Sequence, residues 1–81
     1  MSPKTPRDVS GKYLVEVLSK YGYEVVRQSG SHIRMSITTK TIVGNITIPN
    51  HDSIRLGTLM SIISEVSDHL NIAKEDIISK L

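Results

Sequence analysis

Two stretches of strict alternation, set between two helical stripes, constrain this chain more than anything else in it. Ile33, Met35 and Ile37 alternate with His32, Arg34, Ser36 and Thr38, and Ile42, Gly44, Ile46 and Ile48 alternate with Val43, Asn45 and Thr47. A period of two is that of a strand with one face buried and the other in water. A β-rich run, Tyr23 to Gln28, precedes them. Sequential strands joined by turns as short as Gly30-Ser31 and Thr39-Lys40-Thr41 form an antiparallel meander. Pro49 cannot donate to a ladder and ends the third strand.

A sheet buried on one face needs a cover, and the flanking segments supply it. Ser10 is placed to cap a helix in which Leu14, Val17, Leu18 and Tyr21 recur at helical spacing, with Gly22 where a left-handed residue is expected. The spacing predicts a helix from Gly11 to Tyr21. After a polar loop from Asn50 to Gly57, Thr58 is a candidate cap for a second helix with Leu59, Ile62, Ile63, Val66 and Leu70 in one stripe. Asn71 breaks that pattern, and Ile77, Ile78 and Leu81 predict a short terminal helix from near Ala73. The expected class is α+β: helix, three-stranded antiparallel sheet, helix, and a short C-terminal helix. Leu14, Val17, Leu18, Ile62, Ile63 and Val66 are its expected core. Residues 1–9, with Pro3, Lys4, Pro6 and Arg7, read as a flexible arm, leaving residues 10–81 as a single domain.

At 81 residues a domain buries too small a fraction of its surface for a deep, enclosed site, so any catalysis belongs on an open face. The chain has no cysteine, tryptophan or phenylalanine, which excludes disulfides and thiolate zinc sites. It shows no apolar run near the roughly 20 residues that span a bilayer and no signal-peptide stretch. No membrane association and a cytoplasmic location are expected by elimination. Charge is uneven: residues 1–40 carry seven Lys or Arg against Asp8, Glu16 and Glu24, whereas residues 41–81 carry three against five acids. Excess cations suit a polyanionic partner such as RNA; a mixed solvated surface accounts for the same balance.

The basic half contains Gly30-Ser31-His32, a turn followed by a histidine at the mouth of a strand. An imidazole, with an ordinary pKa of about 6.5, can take or give a proton near neutral pH, and a fixed turn delivers it to a defined place. His32 and Arg34 share the polar face of their strand. Lys12, Arg27 and Arg34 are candidate cations for a phosphate. Ser31, adjacent to His32 in the chain, points away from it and is suited to positioning backbone or phosphate rather than to attack. His51 is either an auxiliary acid or a residue ordering the loop before the second helix. His69, late in that helix, has the simple reading of a C-terminal helix residue. These histidines lie far apart in the sequence, so neither a metal nor another cofactor is expected.

The order helix, meander, helix is that of double-stranded-RNA-binding domains. Beyond order, nearly the whole chain resembles the HicA-type (YcfA-like) mRNA interferase toxins. The resemblance is carried by Ser10-Gly11-Lys12, by Arg27-Gln28-Ser29-Gly30-Ser31-His32, by Pro49-Asn50-His51 and by Gly57-Thr58-Leu59-Met60-Ser61-Ile62. It implies the toxin of a type II toxin-antitoxin pair, an endoribonuclease acting on mRNA with His32 as catalytic acid or base and a HicB-type antitoxin as partner. On charge and placement Lys12, Arg27, Gly30, Ser31 and Arg34 are the expected RNA contacts, and the lack of a ligand set makes the expected mechanism metal-independent. The competing expectation is a non-catalytic RNA-binding module of the same fold. Against it, the second helix opens with Gly57-Thr58-Leu59-Met60-Ser61, without the lysines such a module would be expected to carry there. A protein-interaction domain is the third class.

Overall fold

The structure is a computed structural model that describes residues 8–81; most of the expected arm, residues 1–7, lies outside the described residues. Helix α1 spans Gly11–Lys20, followed by strands β1 (Glu24–Ser29), β2 (His32–Thr38) and β3 (Val43–Pro49), helix α2 (Leu56–Leu70) and helix α3 (Lys74–Ile78). The strands form one antiparallel sheet in the order β1-β2-β3, the meander that the short turns require.

Local chemistry accounts for most boundaries. Ser10 sits in extended conformation and its side chain accepts a hydrogen bond from the Tyr13 amide at 3.0 Å, satisfying one free N–H of the first turn. Asn71 ends α2 in the left-handed conformation. The start of α2 departs from expectation. The helix begins at Leu56 rather than at Thr58, with Arg55 at the cap position and no side-chain cap bond. The preceding loop is held by backbone bonds instead, from the Gly11 amide to the His51 carbonyl at 2.9 Å and from the Ile54 amide to the Val9 carbonyl at 2.8 Å. Val9, expected in the arm, is therefore part of the packed domain and is buried.

All six expected core residues are buried, and Tyr23, Ile33, Met35, Ile37, Ile46, Ile48, Leu59 and Ile77 join them. The buried positions of β2 and β3 are alternate ones, so one sheet face carries the core and the other is open. The helices lie chiefly over β3, leaving β1 exposed along its whole length. Helix α3 is tied back to α1: the Tyr13 hydroxyl donates to the Lys80 carbonyl at 3.1 Å and the Tyr21 hydroxyl to the Asp76 carbonyl at 3.4 Å. No helix among the described residues is long and apolar enough to cross a membrane.

Candidate active site on the open sheet face

The register of the sheet builds the site. Ser29 pairs with His32 across a two-residue turn, and His32 pairs on its other side with Pro49. Gly30 opens the turn with φ 55°, a left-handed conformation that glycine adopts without the penalty a side chain brings and that tight hairpins use at this position. One row further in, Arg27 pairs with Arg34 and Arg34 with Thr47. A bulge between Val25 and Arg27 resets the register of β1 so that Arg27 faces Arg34. These two rows meet on the open face.

Arg27, Ser29, His32, Arg34 and Thr47 line one shallow depression there, and all five are exposed. No side-chain hydrogen bond ties His32 to another described residue, so both ring nitrogens are available to an incoming group. Two arginines directly opposite each other on one face repel, a mildly destabilising arrangement that an anion bridging them would reverse. The depression thus combines a titratable group with paired guanidinium donors, whose fork geometry matches phosphate oxygens.

The other expected site residues are placed differently. Lys12 lines a separate groove on the helix side of β1, with Val15, Glu16, Val25, Gln28, Ile33 and Asn50. Gly30 and Ser31 form the turn itself; the Ser31 carbonyl accepts a hydrogen bond from the Asn50 amide at 2.7 Å. His51 lies at the His32 end of the sheet, but its backbone carbonyl, not its imidazole, bonds to Gly11, and its ring is not among the groups lining the depression. His69 has a structural partner: its Nδ1 lies 2.7 Å from the Tyr23 hydroxyl. Burial, assisted by the negative charge of Glu65, pushes the Tyr23 phenol up to about 12, so the phenol stays neutral and shares a hydrogen bond with the ring. Among the described residues no three His, Asp or Glu side chains gather as a metal site.

Ser29 and Thr47 are the lining residues that sequence reasoning did not single out. Thr47 lies on the polar side of the β3 alternation, which was visible; its place beside Arg34 depends on the cross-strand register.

A family model described as the HicA toxin of bacterial toxin-antitoxin matches residues 11–67, which contain α1, the entire sheet and most of α2. The chain belongs to the HicA toxin family. The matched span includes every residue lining the depression. No curated protein and no solved structure matches the chain. As a HicA-family toxin it belongs to a toxin-antitoxin system, with an antitoxin as its partner.

Proposed function

We propose that this HicA-family toxin is a metal-independent endoribonuclease that cuts mRNA in the cytoplasm at the open sheet face, with His32 as the general base. The observation that carries the reading is the convergence of an unbonded, exposed histidine with two opposed arginines in one depression. Cleavage proceeds by attack of a ribose 2′-oxygen on the adjacent phosphorus. His32 removes the 2′-hydroxyl proton, the new P–O bond forms, and the bond to the 5′-oxygen breaks. The products are a 2′,3′-cyclic phosphate and a 5′-hydroxyl, the leaving oxygen taking its proton from the water that an open face admits.

A positioned base contributes about a hundredfold to ten-thousandfold. Arg27 and Arg34 supply much of the rest by neutralising charge on the phosphoryl oxygens as it accumulates. Ser29 and Thr47 add hydroxyls on either side of the phosphate, within the same rows. Lys12, Gly30 and Ser31 act less directly: the first as a cation on the neighbouring groove, the others by shaping the turn that presents His32. His51 is left without a chemical step. A HicB-type antitoxin silences the toxin by covering the open face, where it displaces RNA from the arginines.

The test is RNA cleavage by the purified toxin and its His32→Ala variant, with the product ends analysed. A 2′,3′-cyclic phosphate from the wild type and none from the variant is the expected result. RNA lacking the 2′-hydroxyl at the cut site resists cleavage, and chelators leave the rate unchanged. A stable complex with a HicB-type antitoxin that retained full nuclease activity would contradict occlusion.

A further inference from the structure

We propose that Gly11 is a positioning residue for His32, a role that rests on the reading of His32 as the base. Gly11 opens α1 and is fully surrounded: it is buried, and a Cβ built on it would overlap the carbonyl oxygen of Pro49 and lie 3.1 Å from the Asn50 Cα and 3.2 Å from the Pro49 carbonyl carbon. These are backbone atoms, which cannot swing aside as the end of a side chain can. The close approach is held by the bond from the Gly11 amide to the His51 carbonyl at 2.9 Å.

What Gly11 touches is the support of the catalytic strand mouth. Pro49 is the β3 residue paired with His32, and the next residue, Asn50, donates its amide to the carbonyl of Ser31, the residue before His32, at 2.7 Å. The start of α1 therefore presses on the segment 49–51, and that segment holds residues 31 and 32 from the side away from the Gly30 turn. Gly30-Ser31-His32 and Pro49-Asn50-His51, far apart in the chain, are one physical unit clamped against the helix N-terminus. Any side chain at 11 pushes Pro49 outward and carries His32 with it. A displacement of about 1 Å in a reacting group can cost about a hundredfold in rate.

The experiment compares full-length wild type with Gly11→Ala by steady-state RNA cleavage and by amide and imidazole NMR. The variant is expected to fold, to keep its KM within about twofold, and to drop about tenfold or more in kcat, because substrate still meets the arginines while the base is misplaced. The His32 and Asn50 resonances shift, whereas those of Tyr23 and His69, at the other end of the sheet, stay in place. Wild-type kcat, or a reduced kcat with unmoved His32 and Asn50 resonances, overturns the proposal. If Gly11→Ala does not fold, hydrogen exchange of the wild type decides: Gly11 and Asn50 amides protected to the same extent support the clamp, and an Asn50 amide exchanging as fast as free peptide refutes it. If the wild type cleaves no RNA, the assignment of His32 as base fails by itself, and the resonance shifts still report whether Gly11 sets the strand mouth.

Discussion

His32 and His69 occupy opposite ends and opposite faces of the same sheet. His32 starts β2 on the open face, exposed, its side chain without a hydrogen bond to another described residue. His69 comes down from α2 onto the helix-covered face, half-buried, its ring against Gly44 and its Nδ1 bonded to the Tyr23 hydroxyl. One imidazole is committed to the fold and the other is uncommitted. A histidine can serve a reaction only if substrate reaches a ring nitrogen, and exposure, more than the residue type, separates the two.

The largest effect that tests the contrast is at the open end. His32→Ala should lower RNA cleavage by about a hundredfold to ten-thousandfold and relieve growth inhibition, while the unfolding free energy moves by no more than about 0.5 kcal/mol, as expected at an exposed site. Full cleavage by a folded variant would falsify the assignment and return the protein to a binding module.

At the closed end the effects reverse. His69→Ala removes the hydrogen-bond partner of a buried phenol and should cost about 1 to 3 kcal/mol in denaturant unfolding, with the cleavage rate per folded molecule unchanged. A catalytic defect with unaltered stability would erase the distinction between the two histidines.

A smaller effect is set by pH. Because the Tyr23 pKa is raised from 10.0 to about 12, the folded state holds a proton that the unfolded chain releases earlier. The resulting stabilisation is fully present below about pH 10 and disappears as pH rises towards about 12. Tyr23→Phe, which removes one hydrogen bond at about 1 kcal/mol, should also remove this alkaline decline from unfolding curves measured across that window. An equal alkaline decline in both proteins would assign it to other groups.

The smallest expected change is a gain. Arg34→Ala relieves the repulsion with Arg27 and should stabilise the fold by about 0.2 to 1 kcal/mol. RNA binding should weaken at the same time, and its log-log salt slope should fall by about 0.7 to 0.9 for each phosphate that the protein no longer neutralises. Unchanged salt dependence would remove the arginine pair from the RNA site.

Much of this was legible in the sequence, and the reasons are local. Alternation in 32–38 and 43–49 put His32, Arg34 and Thr47 on the polar side because successive strand side chains point to opposite faces. Ser10 marked the start of α1 because its side chain can satisfy the free amides. The start of α2 was not legible: a capping hydroxyl pointed to Thr58, but the loop is fixed by backbone bonds to Val9 and Gly11, near the other end of the chain. Lys12 stands beside the motif residues in the family pattern, and its place in the neighbouring groove rather than the depression is set by how α1 packs on the sheet.

Periodicity and interactions within a few residues account for the order of the elements, the buried faces of β2 and β3 and the one histidine with a fixed turn before it. The tertiary structure alone decided which cations and hydroxyls join His32, that His69 is held by Tyr23, and that Gly11 bears on Pro49. Those relations depend on strand register and on close approach between segments distant in the chain, and such distances are set only when the helices pack on the sheet.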